Sequence, residues 1–251
     1  MKTRDDLAAE LRHLGVRAGD ALFVHASLRS VGPVLAGARS VIEALQDAVG
    51  PEGLIAMPGF SEDAYLPEGG DAALADAVPG FDPARSSAAA MGALAETFRT
   101  WPGTLRSPHP STSVCANGAG AAALTAVHPL PFATGPEGPF GRLYDNPRAR
   151  VLLIGVGWTR CTALHMAEAL APTRRLKTRR VKHEGEWTDA PDVADDLGCL
   201  FPGAGAEVEA TGHVMHGSLG QAACLLIPFR PLVDVAAAFI DAANRQSGDR
   251  A

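Results

Sequence analysis

Near its start the chain runs strand, helix, strand, and that order constrains the fold more than any other feature. Gly19-Asp20 turns into Ala21-Leu22-Phe23-Val24, an apolar run short enough to be a buried strand. Ser40 and Glu43 have the spacing of a capping box in front of Val41, Ile42, Leu45 and Val49, and Gly50-Pro51 ends that helix. Leu54-Ile55-Ala56-Met57 is a second strand. Two strands joined by a helix pair in parallel, which favours a βαβ-like beginning.

The rest of the chain extends this pattern. Thr3 is the expected cap of a helix with Leu7, Leu11 and Leu14 on one face and Gly15 as its stop. Residues 150–157, Arg-Val-Leu-Leu-Ile-Gly-Val-Gly, make the clearest strand, and Thr162 caps a helix through Leu164, His165, Glu168 and Leu170 that Pro172 ends. Helices are also expected at about 88–99, over 118–127, and from Pro231 with Val233, Ala236, Phe239 and Ile240 inward. Segments around Gly217-Ser218-Leu219-Gly220 are β-like, and 59–87 and 129–141 read as loops. Residues 173–196 have weak periodicity and read as a peripheral β element or flap. The expected fold class is α/β with three layers: a mixed central sheet, helices on both faces, and a small peripheral β or loop element. One domain over 1–251 is expected, with a peripheral insertion at about 173–200.

Composition removes several function classes. The chain has 251 residues, 47% of them hydrophobic and 20% charged, enough to bury a large core and too apolar for a disordered protein. It contains no run of 18 apolar residues and no apolar segment behind Met1-Lys2-Thr3-Arg4, so neither a membrane partner nor secretion is expected, and the cytoplasm is the default location. A net charge of -6 argues against nucleic acid as a partner. Cys115, Cys161, Cys199 and Cys224 are far apart and form no C-x-x-C pair, so buried free thiols are expected. A monomer or homodimer is the expected state.

Charge is unevenly spread. Glu62, Asp63, Glu68, Asp71, Asp76 and Asp82 lie in a stretch free of Lys and Arg. So do Glu184, Glu186, Asp189, Asp192, Asp195, Asp196, Glu207 and Glu209. Between them Arg174, Arg175, Lys177, Arg179, Arg180 and Lys182 crowd together. Solvated loops explain the pattern, and so does a cleft whose anionic walls gather a polycationic ligand.

Four constellations compete for the chemistry. Gly155-Val156-Gly157 follows a strand, but the third glycine of a dinucleotide fingerprint would fall on Arg160, and no acid closes a later strand. His216-Gly217-Ser218-Leu219-Gly220 has His where a nucleophile elbow needs Gly, and no histidine follows it. His165 with Glu168, or His213 with His216, offers two metal ligands at i,i+3 without an H-E-x-x-H motif; no metal is expected, and a metal-assisted amide hydrolase stays the competing enzyme reading. A non-catalytic binder of a cation is the other. The fourth is His109, stiffened between Pro108 and Pro110, paired with Glu168: a carboxylate accepting one ring N–H leaves the other nitrogen free as a base.

Four separated segments decide between them. His25-Ala26-Ser27-Leu28-Arg29-Ser30-Val31-Gly32, Phe81-Asp82-Pro83, Arg106-Ser107-Pro108-His109-Pro110-Ser111-Thr112-Ser113 and Thr162-Ala163-Leu164-His165-Met166-Ala167-Glu168 occur in the order seen in the aminoglycoside 3-N-acetyltransferase family, which the chain resembles over about residues 5–245. The resemblance implies acetyl transfer from acetyl-coenzyme A to an amine of a cationic antibiotic, with His109 and Glu168 as the catalytic pair. It implies a coenzyme A path along Ser27, Leu28, Arg29, Ser30, Val31 and Gly32 with Ser107 nearby. Backbone N–H groups of 27–30 or the Ser113 hydroxyl are expected to meet the oxyanion. Arg29, Arg85, Arg106 or the 174–182 cluster are the candidates for the phosphates. Glu62, Asp63, Asp82, His165 and Asp192 are the expected substrate-binding residues. The acceptor is expected to be an aminoglycoside or another aminated natural product.

Overall fold

The structure, a computed structural model, describes residues 1–64, 72–193 and 198–248. In chain order the elements are α1 (Arg4–Leu14), β1 (Ala21–Ala26), α2 (Leu28–Val31), α3 (Ala38–Val49), β2 (Leu54–Pro58), α4 (Ala72–Ala77), α5 (Ala93–Arg99), β3 (Leu105–Arg106) and β4 (Val114–Gly118). They continue with α6 (Ala121–Thr125), α7 (Pro139–Asp145), β5 (Ala149–Ile154), α8 (Ala163–Leu170), β6 (Leu176–His183), β7 (Glu186–Val193), α9 (Phe201–Ala210), β8 (Met215–Leu219), β9 (Ala222–Pro228) and α10 (Phe229–Gly248).

Seven strands form one sheet in the order β3-β4-β2-β1-β5-β9-β8. β1 runs parallel to β2 and to β5, while β4 and β9 pair antiparallel on either side, so the sheet is mixed. Side chains alternate across it. Phe23, Ala56, Val151 and Leu153 join one core with Phe140, Leu164, Phe201 and Val233 from α7, α8, α9 and α10. Leu22, Val24, Ile55, Met57 and Leu152 join the other with Leu7, Leu11, Val41 and Leu45 from α1 and α3. The three-layer expectation holds, and β6 with β7 forms the small separate hairpin. No described helix is long and apolar enough to cross a membrane.

Local chemistry explains most boundaries. Thr3 caps α1 in a full capping box with Asp6, and Gly15 closes it in the left-handed conformation. The capping box expected at Ser40 and Glu43 does not form: α3 starts at Ala38 behind Gly37, and Glu43 pairs with Arg39 at 3.0 Å instead. The helix expected over 88–99 is divided by Gly92, whose φ of 106° ends a short 3-10 turn before α5 begins. Gly155 belongs to the packing, not to a dinucleotide fingerprint. Its φ is +62°, and a Cβ there would come within 2.4 Å of Ser30 Cβ.

Candidate active site

Parallel strands end on one edge of a sheet, and ligands of open α/β sheets gather in the crevice beyond that edge. Here β1, β2 and β5 end together at Ala26, Pro58 and Ile154. Beyond them opens a cavity of about 480 Å³, lined by His25, Ser27, Pro58, Val156, Thr162 and His165 among others. A second cavity of about 390 Å³ shares Phe60, Ala90, Met91 and His165 with it and adds Glu62, Ser111, Thr112 and Asp192. His165 therefore lines both.

The helix period places Glu168 one turn beyond His165 on the same face of α8. His165 Nδ1 meets Glu168 Oε2 at 2.6 Å, and Glu168 is almost fully buried. The carboxylate accepts the Nδ1 proton, so the neutral ring presents Nε2 as a lone-pair base. Phe201, the first residue of α9, packs edge-on against this ring with centroids 4.8 Å apart. In the same larger cavity His25 Nε2 accepts the Thr162 amide at 3.3 Å. In the smaller cavity Arg179 from β6 is ion-paired with Asp192 from β7, whose other oxygen accepts the Val193 amide at 2.9 Å.

The comparisons give the family. A family model described as aminoglycoside 3-N-acetyltransferase matches residues 23–241. The chain belongs to that family. Aminoglycoside N(3)-acetyltransferase VII of Streptomyces paromomycinus is 35% identical over 265 residues, covering 95% of this chain and 91% of the relative. Among solved structures, AAC-IIIb in a binary complex with CoASH superposes with a TM-score of 0.87 at 33% identity, over 96% of this chain and 97% of that one. AAC-VIa bound to sisomicin gives 0.85 at 33% identity, over 96% and 98%.

Family membership came from the right segments, but the structure reassigns several residues within them. Glu168 does not orient His109. The His109 ring is buried, its Nδ1 accepts the Thr112 and Ser111 amides at 2.9 and 3.3 Å, and its Nε2 lies 3.4 Å from the Leu130 carbonyl. It packs on His128 with centroids 4.6 Å apart, and burial lowers its pKa to about 4. Ser107, expected beside the cofactor, is fully buried: its hydroxyl accepts the Val114 amide and meets His128 Nδ1, both at 2.8 Å. Ser113 is equally buried, donating to the Gly59 carbonyl at 2.6 Å and accepting from Arg106 Nε at 2.9 Å. Arg106 also reaches the carbonyls of Gly59 and Ser86, so a strut inside the loops replaces the expected phosphate contact.

Along the expected cofactor segment, Ser27 lines the larger cavity whereas Leu28, Arg29, Ser30, Val31 and Gly32 do not, and Val31 is in the core. The amides of Ser27 and Ser30 are spent on the carbonyls of Ile154 and Ser27, at 2.9 and 3.0 Å, so they are not free to meet an oxyanion. Of the expected substrate residues, Glu62, Asp192 and His165 line the smaller cavity. Asp63 and Asp82 line neither: the Asp63 amide donates to Ser61 Oγ, and Asp82 accepts the Ala84 amide in a tight turn. Glu68, Asp71, Asp195 and Asp196 of the acidic runs lie outside the described residues. Phe201 escaped the sequence reading altogether, although Pro202 directly after it is a helix-start signal.

Proposed function

We propose that the chain transfers the acetyl group of acetyl-coenzyme A to an amine of an aminoglycoside, the 3-amino group named for the family, with His165 as general base. The observation that carries this reading is the single imidazole that lines both cavities and whose far nitrogen is held by a buried carboxylate. The larger cavity, beyond the parallel strand ends, takes the thioester. The smaller one, with Glu62 and Asp192 in its wall, takes the polycation. The co-crystallised CoASH and sisomicin of the two relatives support one ligand of each kind.

An amine is mostly protonated near neutrality, so anionic walls bind it; it first gives one proton to solvent, which exposes its lone pair, and a positioned base removes a second as it attacks. The new N–C bond forms at the thioester carbonyl carbon, the amine proton passes to His165 Nε2, and Glu168 stabilises the resulting imidazolium. The tetrahedral intermediate then breaks its C–S bond, and the imidazolium returns the proton to the departing thiolate. No covalent enzyme intermediate is required. Cys115 and Cys161 are buried with their thiol pKa values pushed up to about 11 and about 12, which leaves no thiolate to act as a nucleophile.

Thiol release from acetyl-coenzyme A, measured with a panel of aminoglycosides and simpler polyamines, tests the function. Aminoglycoside-dependent release in the wild type, and a fall of about 10²–10⁴-fold in His165→Ala, are expected. Release that is independent of every amine offered, or a fully active His165→Ala, would overturn the proposal.

A further inference from the structure

Of the expected oxyanion donors, the Ser27 and Ser30 amides and the Ser113 hydroxyl are committed elsewhere, and Leu28 and Arg29 do not line the larger cavity; acyl transfer still needs a donor there. His25 is a polar side chain of the larger cavity whose protonation can be read from its bonds. It sits one residue from the end of β1, 7% exposed, with its ring held edge-on to Phe23 at 5.0 Å. Its Nε2 accepts the Thr162 amide, and a nitrogen that accepts an N–H carries no proton. The proton of the neutral ring is therefore on Nδ1.

Nδ1 is open to the cavity. Among the described residues two buried side-chain nitrogen or oxygen atoms lack a hydrogen-bond partner, Thr134 Oγ1 and Arg150 Nε, and His25 Nδ1 is neither. No described group hydrogen-bonds to it, so an atom that is neither bonded nor sealed off faces the space that its ring lines. Burial, aided by the charge of His165, also pushes the pKa of His25 down to about 3. One cavity thus holds two imidazoles of opposite character: His165, steered by a carboxylate to accept a proton, and His25, steered by a backbone amide to donate a hydrogen bond.

We propose that His25 is a second catalytic residue, whose Nδ1–H donates to the thioester carbonyl oxygen and holds the negative charge of the tetrahedral intermediate. This rests on the reading that the larger cavity receives the thioester. The proton is not transferred; the bond shortens as charge builds on oxygen and relaxes when the C–S bond breaks.

Two substitutions separate this role from one in which His25 only steadies the start of α8 through Thr162. In His25→Asn the amide NH2 falls near the position of Nδ1, and in His25→Gln the amide falls near Nε2. Thiol release is followed with saturating acetyl-coenzyme A and one active aminoglycoside. His25→Gln is expected to lose about 10²–10³-fold in kcat with KM for acetyl-coenzyme A within about threefold, and His25→Asn to recover most of that loss. A catalytic donor leaves the melting temperatures of the two variants close together. The opposite order, with Gln active and Asn impaired, assigns His25 to positioning and overturns the proposal, as does equal impairment or full activity of both. Amine-dependent release by the wild type beside an active His25→Gln defeats this inference alone, whereas no release by the wild type defeats the proposed function with it.

Discussion

Lowering the pH from 8 to 5 is expected to remove about 6 kcal/mol of folding stability, through three histidines buried in the neutral form. Burial is the largest cause in each case, lowering His25 and His128 to about 3 and His109 to about 4. Their ring nitrogens accept backbone amides or a hydroxyl, which a protonated ring cannot do: Thr112 N at His109, Thr162 N at His25 and Ser107 Oγ at His128. An unfolded histidine titrates near pH 6.5, so at pH 5 the unfolded chain has taken up almost one proton per site that the folded chain refuses. The unfolded state then binds more protons, and stability falls as pH falls from about 6.5 toward the folded values near 3 to 4. At pH 5 each site contributes about 2 kcal/mol to the loss, a figure that hardly depends on the folded pKa once it is at or below about 4. Three such sites amount to much of the roughly 5–15 kcal/mol that a typical domain has. Urea unfolding at pH 8, 7, 6 and 5 measures it, and His109→Asn, which keeps a neutral polar group in place, is expected to lose about 2 kcal/mol less over the same interval. A wild-type loss under about 2 kcal/mol, or an unchanged pH dependence in His109→Asn, would refute the reasoning.

Three more outcomes follow from named contacts. Glu168→Gln keeps the shape of the carboxylate and removes its charge. A hydrogen bond to a charged group is worth about 1.5–3 kcal/mol, so kcat is expected to fall about 10–150-fold in the thiol-release assay, and wild-type turnover would remove Glu168 from the mechanism. Ser107→Ala leaves the Val114 amide and His128 Nδ1 without their partner; it is expected to cost about 1–3 kcal/mol in urea unfolding while KM for acetyl-coenzyme A stays within about twofold, and a large rise in KM would return Ser107 to the cofactor path. Cys115, Cys161 and Cys224 are buried and Cys199 is exposed, so a disulfide reagent is expected to titrate one thiol rapidly in the native protein and the other three after denaturant is added.

The layers of the fold were legible because each strand carries its burial in its own pattern. In Ala21-Leu22-Phe23-Val24 every residue is apolar, and odd and even positions feed different cores, as a strand covered on both faces must. The hairpin of β6 and β7 was visible only as absent helical periodicity, because cations such as Arg179 and Arg180 on β6 face acids such as Asp192 and Asp189 on β7, and a ladder of charges has no apolar rhythm. α7, over Pro139–Asp145, was hidden in a Gly and Pro-rich stretch. There the proline begins the helix, and Gly141 lies so close to Pro136 that a Cβ would stand 1.7 Å from its carbonyl oxygen.

The proposed catalytic pair shows what spacing can and cannot decide. His165 and Glu168 are three residues apart on a helix, so their contact is a local property that the helical period alone supplies. His109 and Glu168 are far apart in sequence, and their pairing required a tertiary contact that no pattern in the chain encodes. The two prolines around His109 do make a stiff loop, but stiffness there serves burial: Nδ1 accepts the amides of Ser111 and Thr112, Nε2 faces the Leu130 carbonyl, and the ring packs on His128. A rigid histidine with both nitrogens spoken for is a strut. A base has to keep one nitrogen open to a cavity, and of these two rings only that of His165 lines either of the two cavities at the strand ends.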